Sequence, residues 1–226
     1  MKRNFVIKKV LSLLNNNDAI IFSGSDVCYD GYLLDKDNHF YIPNSFNIAV
    51  SFALGIAMTN DKRVFVFVGE GDFLRDLSIL PQISASECKN IFVVLLDNGC
   101  YNGIDQLPHV FDSVLSKKGF IYNAGCKIKD FTSHFEMKEF KLMKNVFDRL
   151  NGSTVILFSI DKYNNKNEKK FDINLIDNKN RFIEFIRNKT IESSLFIPPD
   201  AVSVVSGKTS VLNLDNLQVT TDRLEV

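Results

Sequence analysis

Two apolar runs constrain this chain more than any other feature. Val64-Phe65-Val66-Phe67-Val68 stops at Gly69-Glu70-Gly71-Asp72, and Ile91-Phe92-Val93-Val94-Leu95-Leu96 stops at Asp97-Asn98-Gly99. Neither run alternates with polar residues, and both are rich in branched and aromatic side chains. That pattern suits strands covered on both faces, as in a parallel sheet. Parallel strands need a crossover, and Leu74–Lys89 has room for its helix, with Pro81 expected to break or kink it. Acidic or amide side chains and glycines thereby gather at the carboxyl ends of neighbouring strands, where open α/β sheets take ligands. A carboxylate beside a carboxamide there is a donor set for a hard cation such as Mg²⁺, and such a cation can hold a diphosphate.

The flanking chain extends this α/β pattern. Asn4–Leu14 fits a short amphipathic helix with Phe5, Ile7, Val10, Leu11 and Leu14 on one broad face. Ala19–Phe22 reads as a first strand ended by Ser23-Gly24-Ser25, an ordinary turn rather than a Gly-x-Gly-x-x-Gly nucleotide fingerprint. Gly31–Asn38 reads as a loop and His39–Ile42 as a short strand. Ser45–Met58 is apolar with many small residues, which permits close packing of a helix on a sheet or a partner. Ile121–Cys126 suits a short strand or loop, Lys129–Leu150 a long helix, and Thr154–Ile160 the last strand. The expected fold is α/β, with an open, mostly parallel sheet flanked by helices and a C-terminal extension.

The character changes after Asp161. The polar stretch Lys162–Lys170 reads as a linker or mobile loop, and Arg181–Lys189 has apolar residues at helical spacing that suit packing on the main body. The expected division is an α/β domain over 1–162 and a linker with a helix/strand extension over 163–226, packed on the body or on a partner. Gly207-Lys208-Thr209-Ser210 lacks the upstream glycine of a phosphate loop.

Composition narrows the function classes. The 27 basic and 27 acidic residues cancel, so no broad field draws the chain to nucleic acid or to an anionic membrane. No apolar stretch is long enough for a transmembrane helix, and no secretory leader is visible, so the expected location is the cytoplasm. The 4 cysteines, Cys28, Cys88, Cys100 and Cys126, form no Cys-x-x-Cys pair and read as separate thiols.

Gly69-Glu70-Gly71, the crossover and then Asp97-Asn98 resemble the motif that binds thiamine diphosphate. Asn38-His39-Phe40-Tyr41, Ala53-Leu54-Gly55-Ile56-Ala57 and Leu96-Asp97-Asn98-Gly99-Cys100-Tyr101 extend the likeness. Met1–Lys162 as a whole resembles the diphosphate-binding half of sulfopyruvate and phosphonopyruvate decarboxylases, including their separate beta subunits.

The resemblance implies a set of roles. Metal ligands would be the Glu70 carboxylate, the Asn98 side-chain carbonyl and the Cys100 backbone carbonyl, with diphosphate oxygens and water completing the shell of Mg²⁺. Ser45, Phe46, Gly69, Gly71, Asp72, Asn98 and Tyr101 would line the thiamine diphosphate. Asp97 would organise the turn. His39, Gln106 and His109 are the catalytic candidates.

Two departures from the family's pattern stand out. Glu70 occupies the usual aspartate position, and Asp72 brings a negative charge that opposes a diphosphate unless it points away. The implied activity is a magnesium–thiamine-diphosphate lyase decarboxylating a small 2-oxo acid, with sulfo- or phosphono-substituted pyruvate suggested by the resemblance alone. Such an enzyme needs a pyrimidine-binding domain, to be supplied by a separate subunit or by another copy in a homo-oligomer. The alternatives are a structural or regulatory subunit with a degenerate site, and another thiamine-diphosphate-dependent carbon–carbon ligase or lyase.

Overall fold

The computed structural model describes residues 1–43, 48–75, 77–101, 107–108, 116–131, 140–162 and 173–187. The chain divides into two compact units, Met1–Ser193 and Ser194–Val226, and every described residue lies in the first.

The strands in chain order are β1 (Ala19–Ser23), β2 (His39–Ile42), β3 (Val64–Gly69), β4 (Ile91–Asp97), β5 (Cys100–Tyr101), β6 (Leu107–Pro108), β7 (Lys127–Asp130) and β8 (Thr154–Ser159). Six of them form one sheet in the order β2-β1-β3-β4-β8-β7, with every neighbouring pair parallel. β5 and β6 form a separate two-residue antiparallel ladder. The helices are α1 (Arg3–Leu11), α2 (Ser25–Tyr32), α3 (Ile48–Thr59), α4 (Glu70–Arg75), α5 (Ile79–Ala85), α6 (Lys117–Asn123), α7 (Phe140–Asp148) and α8 (Leu175–Arg187).

The two apolar runs are the central strands β3 and β4, covered on both faces as expected. They alternate in shape instead of polarity. Successive side chains of a strand point to opposite faces. Val64, Val66, Val68, Val93 and Leu95 pack on one side against α3, α5 and α8. Phe65, Phe67, Phe92 and Val94 pack on the other against α1, α2 and α7. Much of the phenylalanine content therefore serves one face of one sheet. Phe65 and Phe92 sit 4.9 Å apart, and Phe22 and Phe67 5.0 Å apart. Burying each such ring contributes roughly 1.5–3 kcal/mol. On the opposite face Ala49, Ala53 and Ala57, four residues apart, are the buried positions that let α3 lie close to the sheet.

Several local expectations change. Pro81 does not break a helix. It is the third residue of α5, where its missing N–H has no intrahelical partner to lose. The crossover is instead split, and Glu70–Arg75 form a helix of their own that begins directly at the strand end, ahead of the expected Leu74. Ile121–Asn123, expected in a strand or loop, end the helix Lys117–Asn123, and Lys127–Asp130 is an edge strand at the start of the expected 129–150 helix. Phe5 lies outside the buried face of α1, which instead buries Arg3, Val6, Ile7 and Val10. Arg3 is held there by Asp30 and Asp26.

The C-terminal helix closes the other edge. Asn178 of α8 donates from Nδ2 to the Tyr41 carbonyl and accepts from the Tyr41 N–H through Oδ1, so a carboxamide takes the place of a further strand beside β2. Phe182 is buried beside Phe40. Residues 188–226 of the expected helix/strand extension lie outside the described residues.

Candidate functional site

The sheet's carboxyl edge gathers the chemistry. Gly69 pairs with Leu96 in register, so Glu70 and Asp97 emerge side by side from β3 and β4. Glu70 opens α4, where the helix start favours a negative group. It is 1% exposed. Its Oε2 accepts from the Gly99 N–H at 3.1 Å, and Asp97 Oδ1 accepts from the same N–H at 2.9 Å. Gly99 is at φ +68°, a backbone state that favours glycine. Asn98 turns its Oδ1 toward the Cys100 N–H, 3.4 Å away.

A third charged group, absent from the sequence reading, joins them. Lys117, the first residue of α6, places Nζ 2.5 Å from Glu70 Oε1 and 2.5 Å from Asp97 Oδ2, and its side chain is only 5% exposed. Its sequence signal is an anomaly. After the N-cap Ser116, which accepts from the Gly119 N–H, α6 opens with two lysines and no acidic residue. Positive charge at a helix N-terminus opposes the helix dipole, so something else must hold it there. Lys118 is held by Asp130, and Lys117 by the two strand-end carboxylates.

The arrangement splits the two carboxylates in acidity. Burial pushes Glu70 up to about 8, and its hydrogen bond and charge repulsion with Asp97 add to this against the pull of Lys117. Burial also disfavours ionised Asp97, but the hydrogen bond from Glu70 and the Lys117 ammonium outweigh it and hold that carboxyl below its usual range. The proton of the pair therefore resides on Glu70.

Asp72 sits in the same helix turn but faces another strand. Its carboxylate lies against Gly24 at the end of β1, where an added Cβ would come within 2.6 Å of Oδ2. Gly24 has φ +84° and caps the start of α2. Burial raises the pKa of Asp72, partly offset by Arg75, 3.7 Å away, and by a hydrogen bond with Ser23. The strand order reverses between β1 and β3, so Asp72 occupies a switch point of the sheet.

The expected site residues fall into three groups. Gly69, Glu70, Gly71, Asp72, Asn98, Cys100 and Tyr101 come together at or just beyond the ends of β3 and β4. Cys100 is buried, and burial raises its thiol. His39 does not join them. It is aligned with Ile20 and, through β1, with Phe65, four residues before Gly69, or roughly 13 Å along the strand. Its ring is buried, hydrogen-bonded to the Tyr41 hydroxyl at 3.2 Å, and lowered to about 4 by burial, which marks a structural residue. Ser45, Phe46, Gln106 and His109 lie outside the described residues.

The shape and the charge of this edge give different answers about a bound cofactor. A Cβ added at Gly69 or Gly99 would meet nothing within 4 Å, so there is room beside both strand ends. The divalent ion does not fit the arrangement as it stands. Glu70 and Asp97 already hold an ammonium, and Asn98 Oδ1 faces a backbone amide. No group of three or more His, Cys, Asp or Glu residues able to hold a metal occurs among the described residues.

Comparison with known proteins agrees with the sheet and the motif. The family described as "Thiamine pyrophosphate enzyme, C-terminal TPP binding domain" matches residues 32–139. The beta subunit of sulfopyruvate decarboxylase from Methanocaldococcus jannaschii is 28% identical over 191 residues, which cover 82% of this chain and 97% of that subunit. Its counterpart from Methanothermobacter thermautotrophicus is 40% identical over 67 residues, 30% of this chain and 36% of that protein. Among solved structures, benzoylformate decarboxylase from Polynucleobacter necessarius superposes with a TM-score of 0.60 at 12% identity, over 73% of this chain and 34% of that one. A thiamin diphosphate-dependent enzyme from Mycobacterium smegmatis gives 0.56 at 16% identity, over 71% and 32%. The chain thus spans about a third of the length of these two enzymes. Residues 32–139 thus match a C-terminal thiamine-pyrophosphate-binding domain, and the chain is related to the beta subunits of sulfopyruvate decarboxylase.

Proposed function

We propose that this chain is the diphosphate-side subunit of a two-chain thiamine-diphosphate-dependent decarboxylase acting on a small 2-oxo acid that carries a sulfonate or phosphonate. The observation that supports this reading best is the alignment with a sulfopyruvate decarboxylase beta subunit over 97% of its length. The partner is a chain bearing the pyrimidine-binding domain, and the assembly works in the cytoplasm. When bound, thiamine diphosphate supplies the carbanion chemistry that carbon dioxide loss requires. The chain's own contribution is placement. Gly69 and Gly99 leave space at two adjacent strand ends, and Glu70 with Asp97 sets the local charge. The Mg²⁺ that the resemblance pairs with the cofactor would need Glu70 and Asn98 released from their present partners.

The test is reconstitution. The chain is mixed with candidate pyrimidine-side subunits and thiamine diphosphate, and carbon dioxide release from sulfopyruvate and phosphonopyruvate is measured. Turnover in the mixture and none by either chain alone is the expected result. Decarboxylation by this chain alone would remove the two-subunit requirement. A stable complex with no turnover on any 2-oxo acid would favour the second reading, a structural or regulatory subunit. The observation in favour of that reading is the engagement of both strand-end carboxylates by Lys117.

A further inference from the structure

We propose that Lys117 is a built-in cation: its ammonium occupies the charge position between Glu70 and Asp97 that a divalent ion would need, and the isolated chain excludes the metal for that reason. The inference stands on the geometry of three side chains and holds whether or not the decarboxylase reading is correct.

The position of the ammonium carries the argument. A cation ligated by Glu70 must sit within reach of its carboxylate oxygens, on the side facing β4. Lys117 Nζ is there, 2.5 Å from Oε1, and it bridges to Asp97 Oδ2 at the same distance. The other Glu70 oxygen is bound to the Gly99 N–H. A divalent ion taking Glu70 would face a positive charge on the same oxygens, and a metal and a buried ammonium a few ångströms apart repel strongly. Occupation by one therefore requires departure of the other.

The route by which Lys117 arrives supports a specific role over an incidental surface contact. Its backbone belongs to α6, which is remote in sequence from both carboxylates. Its side chain is 5% exposed, between the 0% of Glu70 and the 15% of Asp97. A long, flexible, strongly hydrated side chain is rarely buried without paired charges. Here the pairing is with two carboxylates at once, at strand ends where a Cβ on Gly69 or Gly99 would meet nothing within 4 Å. The only other basic residue of the α6 start, Lys118, turns to Asp130 instead.

The prediction is an exchange of one cation for another. Removing the ammonium while keeping the carboxylates turns the pair into a site for a divalent ion, because two close carboxylates without a counter-charge gain from sharing one. The probe is Mn²⁺, with free and bound ion distinguished by electron paramagnetic resonance. Wild-type protein, Lys117→Met, and the double variant Lys117→Met with Glu70→Gln are compared, with folding checked by circular dichroism. The expected result is no saturable binding to wild type, one site in Lys117→Met at least roughly tenfold tighter, and loss of that site in the double variant. Saturable one-site binding to wild type as tight as to Lys117→Met would overturn the proposal. So would a folded Lys117→Met protein that binds Mn²⁺ no better than wild type. If the methionine variant does not fold, Lys117→Gln takes its place in the same assay and is read by the same two outcomes. Because the readout is metal binding in the absence of substrate and cofactor, a failed reconstitution of decarboxylation leaves this test intact.

Discussion

The Nζ of Lys117 and the Oε1 of Glu70 lie 2.5 Å apart at 5% and 0% side-chain exposure, joining the first turn of α6 to the carboxyl end of β3. With the proton of the carboxylate pair on Glu70, removing Lys117 strands the charge of Asp97 beside it. Lys117→Met is expected to lower unfolding free energy by about 3–5 kcal/mol near neutral pH, read by urea denaturation. Adding Asp97→Asn, which removes the stranded charge, should return part of that loss. A loss below about 1 kcal/mol would place the pair with ordinary exposed ion pairs.

The raised pKa of Glu70 makes stability depend on pH with a definite sign. The folded protein holds a proton on Glu70 up to about 8, whereas the unfolded chain releases it near 4.5. The native state therefore binds the extra proton between these values, and stability falls as pH rises through the window. His39 acts in the opposite sense. Its value is lowered to about 4 from 6.5, so its contribution rises with pH across that lower range. The two oppose each other below 6.5, and the fall above 6.5 belongs to Glu70. Glu70→Gln should flatten the decline between pH 6.5 and 8 in a series of urea titrations, whereas an unchanged slope would contradict the assignment.

Gly24 and Asp72 are expected to be coupled. Gly24→Ala meets two obstacles, a φ of +84° and a carboxylate oxygen 2.6 Å from the new Cβ. It should cost about 1–3 kcal/mol. Asp72→Ser removes the second obstacle and leaves the first. In a double-mutant cycle the alanine should cost less in the serine background, with a coupling of at least about 0.5 kcal/mol. Strict additivity would mean that Asp72 does not press on Gly24.

Asn178 replaces a neighbouring strand for the backbone of Tyr41. Asn178→Ala leaves one buried N–H and one carbonyl without that carboxamide. The expected loss is about 1–3 kcal/mol. Amide hydrogen exchange should quicken at Tyr41 and along α8, while β3 and β4 keep their protection. Uniform quickening across the sheet would show that α8 and the central strands open as one unit.

How much of this was legible in sequence depended on the range of the cause. The central strands were written locally, in runs that only a doubly covered sheet accommodates, and their polar ends placed Glu70 beside Asp97. The split of those runs into a valine face and a phenylalanine face was also present in the alternation of Val64–Val68, but the lack of polar residues hid it. Helix α6 was misread because Gly119 and the apolar Phe120 and Ile121 resemble a turn and strand when the Ser116 cap is overlooked. Lys117 was missed for a different reason. Its partners lie 47 and 20 positions away, and no local pattern pairs them. The only trace was electrostatic, a helix opening on two lysines. The departures at Glu70 and Asp72 were visible at once, but where Asp72 points was decided by Gly24 on a strand far off in sequence.

Nitrogen-15 NMR of the Lys117 side-chain ammonium, assigned by its absence in Lys117→Met, tests the central claim most directly. A buried ammonium held by two carboxylates exchanges slowly and gives a distinct signal. That signal should stay in place as Mg²⁺ is added to the isolated wild-type chain, and it should broaden or shift in Glu70→Gln. Saturable displacement of the wild-type signal by Mg²⁺ would show that the metal takes the position from the lysine, contrary to this account.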